Sequence, residues 1–202
     1  MIVAVDVALK PRNRLFAALD LPQDLRDELA GRAVEVAAAL GGRAVPAANL
    51  HLTLAFLGQV PVERGAAVLE ALQESLLPSP PPLRVRLGPL TPRPSRGRAR
   101  LLAAGLAEPS GELEALGLRV QRALAGLGFA VEVRERFWPH VTVVRFPRPL
   151  AVGSPVWPED ERQFDVSRAT LYDSLLSSGG PPRYEALWRA ELAIPQAITQ
   201  SA

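Results

Sequence analysis

Polar and apolar residues alternate most plainly between Asn49 and Gly58, where His51 and Thr53 interleave with Leu52 and Leu54. Successive side chains of a strand point to opposite faces. The pattern therefore predicts a strand with His51 and Thr53 on one side and Leu52, Leu54 and Phe56 in the core. A second alternating stretch, over 139–146, carries His140 and Thr142 on one face and Val141 and Val143 on the other. Apolar runs bounded by turn signals predict further strands over 14–19, 100–106, 129–134, 164–176 and 184–192. Over 83–90, Val85 and Leu87 share one side and Arg84 and Arg86 the other. Elsewhere the period lengthens to that of a helix. Asp20 is read as an N-cap, with Gln23 three residues on and Pro22 in the first turn. Leu25, Leu29, Val36 and Leu40 then form a stripe that Gly41-Gly42 ends. A second helix fits 62–76, and Ser110 caps a third whose stripe is Leu113, Leu116, Val120 and Leu124. Residues 91–98 hold two prolines, a glycine and three arginines and read as an exposed loop.

This order of elements occurs twice. Residues 14–18 resemble 100–104, and each stretch is followed by a helix and then by a His-x-Thr strand, 37 residues from Arg14 to His51 and 40 from Arg100 to His140. A repeat of this length is one supersecondary unit used twice. The chain is therefore expected to be α+β, with two similar lobes facing each other and one His-Thr strand from each.

Composition narrows the chemistry. With 202 residues, 48% of them hydrophobic, the chain can bury the core of one domain or of two lobes that share it. There is no cysteine, which excludes disulfides, cysteine-ligated metals and thiol nucleophiles. Net charge is +2, and the basic residues are nearly all arginine, Lys10 being the one lysine. No apolar run reaches the roughly 20 residues of a membrane span. Residues 1–9 carry Asp6 inside their apolar stretch, which does not suit a signal peptide. The expectation is a cytoplasmic protein, without membrane association or an obligate protein partner, and monomeric. Residues 1–13 are read as an extension, 14–192 as one bilobal domain and 193–202 as a tail.

The chain has only two histidines, and each is followed two positions later by threonine. Threonine fills 5 of 202 positions, so both doing so by chance has a probability of about 0.0006. Two strands related by a pseudo-two-fold place two imidazoles and two hydroxyls around one cavity. One imidazole takes a proton from water while the other gives one to a leaving oxygen, and the hydroxyls donate to phosphoryl oxygens. A metal site would need more ligands than two histidines, and neither motif strand holds a carboxylate. The acidic residues at Glu132, Glu135, Asp160 and Glu161 read as solvated charges, so no metal and no cofactor is expected.

With these residues in view, the chain resembles the 2H phosphoesterase superfamily. It is most similar to the bacterial and archaeal RNA 2',3'-cyclic phosphodiesterases once described as 2'-5' RNA ligases. The matching stretches are Arg-Leu-Phe-x-Ala-Leu-x-Leu-Pro from Arg14, Asn-Leu-His-Leu-Thr-Leu-x-Phe-Leu-Gly from Asn49 and Phe-x-Pro-His-x-Thr-x-x-Arg from Phe137. Leu-Tyr-x-Ser-x-Leu from Leu171 and Gly-Gly-x-x-x-Tyr, ending at Tyr184, complete them. The resemblance implies a duplicated fold in which two antiparallel sheets line a central cleft, with helices outside. It implies His51 as proton donor and His140 as proton acceptor, and a 2'-phosphate product from RNA ending in a 2',3'-cyclic phosphate. Weak reverse 2'-5' ligation is implied as well. The alternative is the same chemistry on small cyclic nucleotides or ADP-ribose cyclic phosphate. Substrate contacts are expected from Arg145, if a bulge turns it to the His140 face, and from Arg98 among the loop arginines. Trp138 is read either as an aromatic wall beside His140 or as core, and Tyr184 either as a side of the cleft or as a strand edge. The family's tryptophan in Arg-Val-Leu-Trp-x-Gly is replaced here by Ala103.

Overall fold

A computed structural model describes residues 12–78, 80–133, 135–153, 162–176 and 180–192. Nearly all of the predicted extension, the tail at 193–202, Gly179 and the acidic pair Asp160-Glu161 lie outside these residues. In chain order the elements are β1 (Arg12–Asp20), α1 (Gln23–Leu40), β2 (Arg43–Ala44), β3 (His51–Pro61), α2 (Gly65–Ser75) and β4 (Leu83–Arg93). They continue with β5 (Ala99–Ala107), α3 (Glu112–Gly126), β6 (His140–Leu150), β7 (Gln163–Val166), β8 (Arg168–Leu175) and β9 (Arg183–Glu191).

The strands form one antiparallel sheet in the order β7-β4-β5-β6-β3-β1-β8-β9, with β2 on the edge of β6. It is two four-stranded sheets joined edge to edge, because β6 and β3 meet through a single register pair, Val141 with Leu52. That seam brings the two His-x-Thr strands side by side. Each lobe has the same plan, β3-β1-β8-β9 matching β6-β5-β4-β7. Helix α1 packs toward β6 and α3 toward β3, so each helix covers the strand of the other repeat.

Several local expectations are corrected. Asp20 ends β1 rather than capping α1, whose N-cap is Pro22 and makes no side-chain cap bond. The buried stripe of α1 is Leu25, Leu29, Ala33 and Ala37, with Val36 and Leu40 at its margin. Gly41, at φ 67°, does end the helix, in a left-handed conformation that glycine adopts without a Cβ penalty. Segment 129–133 is not a strand and pairs with none of the strands of the sheet. The predicted loop at 91–98 shrinks to 94–98, since β4 runs on through Pro92 to Arg93. The stretch 164–176 divides at Ser167 into β7 and β8. The stripe Leu113, Leu116, Val120 and Leu124 is buried as expected.

The two repeats superpose one residue away from the match seen in the sequence. Thr53 is opposite Ala18, and Thr142 is opposite Ala103. Ala18 thus corresponds to Ala103 rather than Ala104, and Asp20, opposite His51, corresponds to Gly105, opposite His140. Apolar residues on β1 and β5 look alike at either offset, and only strand pairing selects one.

Candidate active site

Both motif strands carry a β-bulge at the same place. In β3 the partners jump from Ala18–Thr53 to Ala17–Ala55, leaving Leu54 unmatched; in β6 they jump from Ala103–Thr142 to Leu102–Val144, leaving Val143 unmatched. A bulge inserts one residue and reverses the side-chain alternation beyond it. Residues five places after each histidine therefore return to its face. Those residues are Phe56 and Arg145. Phe56, expected in the core, is instead 61% exposed. Arg145 is exposed on the cleft side, with its charge acting on both His51 and Tyr184. The unmatched carbonyls are not left bare: Gln121 of α3 donates to Leu54 O at 3.0 Å, and the Val45 amide donates to Val143 O at 2.8 Å.

The two imidazoles are held alike. His51 Nδ1 lies 2.8 Å from Asn49 O, and His140 Nδ1 lies 2.8 Å from Trp138 O. A carbonyl only accepts, so Nδ1 carries the proton in each ring and Nε2 is the basic nitrogen of the neutral imidazole. Asn49 is itself anchored, its amide donating to Pro182 O at 2.7 Å. Thr53 and Thr142 are half-buried beside their histidines, on the same face.

Beyond these similarities the surroundings differ. His51 sits in an aromatic corner, with ring centres 4.8 Å from Phe16, 5.3 Å from Tyr184 and 6.3 Å from Tyr172. Burial lowers its pKa from 6.5 to about 4, aided by the Arg145 and His140 charges; the Asn49 carbonyl and Asp20 act the other way. Some ring surface still reaches the cleft, which moderates the effect of burial. Asp20 accepts from Tyr172 Oη at 2.7 Å and Thr170 Oγ1 at 3.0 Å, and burial together with that bond pushes the Tyr172 phenol up to about 12. On the other side Trp138 stacks on His140, 4.3 Å between ring centres and 11° between planes, and Arg93 lies 3.7 Å from the indole centre. Gly105, where the first lobe has Asp20, leaves the place over which that indole lies.

The cleft thus gathers His51, Thr53, His140, Thr142, Arg145, Trp138 and Tyr184. Trp138 belongs to the cleft wall rather than the core, and Tyr184 lies against His51 rather than at an isolated edge. Arg98 does not join them. It sits at the tip of the β4–β5 turn and donates to Pro149 O at 2.9 Å. That tip is seven residues along from Gly105, roughly 20 Å at strand spacing. Its distance follows from β4 and β5 being long strands rather than short ones around a wide loop. Sequence reasoning missed Phe16, Asp20, Phe56, Thr170 and Tyr172. Tyr172 stands within a matched motif; Asp20 was hidden by its likeness to a helix cap, and Phe56 by strict alternation.

Glu132 and Glu135 are exposed, and among the described residues no three histidines, aspartates or glutamates converge as metal ligands would. No helix among them is long and apolar enough to cross a membrane. A hollow of about 250 Å³ beside Arg86, Glu108 and Pro139 includes neither histidine.

Two imidazoles held at Nδ1 by backbone carbonyls, two threonines and one arginine thus lie along a shared seam, a set suited to a phosphoesterase. The comparisons agree in kind: residues 22–175 match the profile of the 2'-5' RNA ligase superfamily, and the chain belongs to this family. The RNA 2',3'-cyclic phosphodiesterase of Escherichia coli strain K12 is 32% identical over 183 residues, 88% of this chain and 95% of that one. The RNA 2',3'-cyclic phosphodiesterase of Archaeoglobus fulgidus is 30% identical over 172 residues, 83% of this chain and 94% of that one. The crystal structure of E. coli LigT complexed with 3'-AMP aligns with a TM-score of 0.76 at 29% identity, over 91% of this chain and 99% of that one.

Proposed function

We propose that this protein hydrolyses 2',3'-cyclic phosphodiester ends of RNA to 2'-phosphomonoesters, with His51 as proton donor and His140 as proton acceptor. The observation that carries the reading is the paired imidazoles at one seam, each held at Nδ1 by the carbonyl two residues before it. Water attacks phosphorus as His140 Nε2 takes its proton. The P–O3' bond breaks, and His51 Nε2 gives a proton to O3', leaving the phosphate on O2'. Thr53, Thr142 and Arg145 hold the non-bridging oxygens, where negative charge gathers. With the 5'-hydroxyl of a second ribose in place of water, the same steps join a 2'-5' linkage. The family relationship supports cyclic phosphodiester hydrolysis, and the donor and acceptor assignment is the one implied by the family resemblance.

Phe56, exposed on the His51 face and against Phe16, whose ring also touches His51, offers a nucleobase a stacking face, and Tyr184 bounds that side. Trp138 walls the opposite side through its stack on His140. The second reading is small cyclic nucleotides or ADP-ribose cyclic phosphate, whose one base would stack on Phe56. The bilobal domain over 14–192 acts, on this proposal, as a monomer in the cytoplasm, with RNA as its partner.

The test is hydrolysis, with EDTA present, of a short RNA bearing a 2',3'-cyclic phosphate. Wild type yields a 2'-phosphate, and His51→Ala and His140→Ala each lose at least about 100-fold in rate, the size expected for acid–base catalysis. Loss of turnover in EDTA would sink the metal-free mechanism. Activity confined to small cyclic phosphates would move the substrate to the second reading.

A further inference from the structure

The register places three arginines in one row across the floor of the second lobe. Arg43 of β2 pairs with Arg145 of β6, Arg145 with Leu101 of β5, and Leu101 with Arg93 of β4. Paired residues share a face, so all four project from the side that carries His140 and Thr142. Two contacts agree. Arg93 reaches the Trp138 indole, and a Cβ on Gly42 would run into Val144 and Phe146 on the core side, so Arg43 next to it points to the cleft. Like charges directly opposite one another weaken a sheet. Neither Arg43 nor Arg145 has an ion pair with a carboxylate among the described residues, and both are exposed. A juxtaposed pair of cations of this kind is stabilised by an anion.

We propose that Arg43 binds the backbone phosphate one nucleotide upstream of the cyclic end, and so selects an oligonucleotide over a mononucleotide. The placement follows from the seam. Residues 43–45 and β3 run in succession along the same edge of β6, with Val45 opposite Val143 and Leu52 opposite Val141. Moving along that edge from His51 past the turn at Ala47–Asn49 leads to Arg43, beyond the two threonines. Arg145 stands between, close enough for its charge to act on His51, and serves the reacting phosphate. Arg43 lies on a neighbouring strand about 5 Å away, which suits the next phosphate of an extended strand rather than the same one.

The inference rests on the RNA reading above. Its test compares kcat/KM on a nucleoside 2',3'-cyclic phosphate, on a dinucleotide ending in a 2',3'-cyclic phosphate and on ADP-ribose cyclic phosphate. The first has no upstream phosphate and the second has one. Wild type prefers the dinucleotide. Arg43→Gln lowers that preference about tenfold, the weight of one hydrogen bond to a charged group, and Arg43→Lys restores part of it. The salt dependence of the dinucleotide reaction becomes shallower in Arg43→Gln by about 0.7 in log–log slope, one phosphate contact on a single strand. Equal losses on the mononucleotide and the dinucleotide, no loss on either, or a larger loss on ADP-ribose cyclic phosphate would each overturn the proposal while leaving hydrolysis intact. A wild type that opens neither nucleotide substrate overturns the RNA reading, and this proposal with it. Circular dichroism of both variants matches wild type, because Arg43 is a surface residue, and the Tm of Arg43→Gln is no lower than wild type, since the repulsion with Arg145 is relieved.

Discussion

His51 and His140 share a backbone geometry but not an environment. With its pKa lowered to about 4, His51 is neutral in the empty cleft at pH 7. The donor role needs a proton on Nε2, so His51 must charge when substrate arrives. A phosphodiester monoanion supplies the reason. Its negative charge opposes Arg145 and favours the imidazolium, which raises the pKa of His51 in the complex. The sign is definite: between pH 5 and 7 the free site lacks the proton and the bound site gains it, so binding takes up protons. Calorimetry of a 2'-5'-linked dinucleotide, a monoanion throughout this range, in buffers of different ionisation enthalpy measures the uptake. Up to one proton per site is expected for wild type, and less for His51→Gln. Equal values for both would exclude His51 as the donor charged by substrate. At this scale the histidines and threonines were legible from their spacing, whereas Arg145 was legible only from the family motif, since strict alternation points it away from His140. Asp20 and Phe56 were not, since one mimics a cap and the other obeys alternation only until a bulge reverses it.

Among elements, helix α3 governs how His140 is presented. Gly117 lies beneath Phe137, and a Cβ there would come within 2.4 Å of the Phe137 ring. Phe137 is buried and begins the Phe-Trp-Pro-His run that leads into β6, so this notch fixes the approach of Trp138 and His140. Alanine is normally the better helix residue, by about 1 kcal/mol. Here Gly117→Ala is expected to destabilise instead, by about 1–3 kcal/mol, as overpacking does. Turnover should fall as Phe137 shifts. Urea denaturation gives the sign directly, and a stabilised variant would show that the ring has room to move. The same helix donates Gln121 to the bulged Leu54 carbonyl, so one element supports both motif strands. Helix stripes of this sort are readable from a 3.6-residue period. The bulges are not, because they cost one hydrogen-bonded step in a ladder whose partner strand is far away in sequence.

For the whole molecule, the two lobes are not two halves of the chain. The second lobe is the continuous run β4 to β7, whereas the first takes β1 and β3 from before it and β8 and β9 from after it. Each helix also covers the strand of the other repeat. The lobes therefore cannot unfold separately, and calorimetry is expected to show one transition whose calorimetric and van't Hoff enthalpies agree. Two resolved transitions would mean that the single-pair seam uncouples them. The sequence by itself determined most of the element types, the duplicated plan and the four motif side chains, because these depend on period and spacing within short stretches. The tertiary structure alone decided the one-residue offset between the repeats, the return of Phe56 and Arg145 to the histidine face, the remoteness of Arg98 and the meeting of Arg43 with Arg145. Each of these depends on which strand lies beside which, and hydrogen-bonded pairing between residues distant in the chain leaves no mark in local pattern.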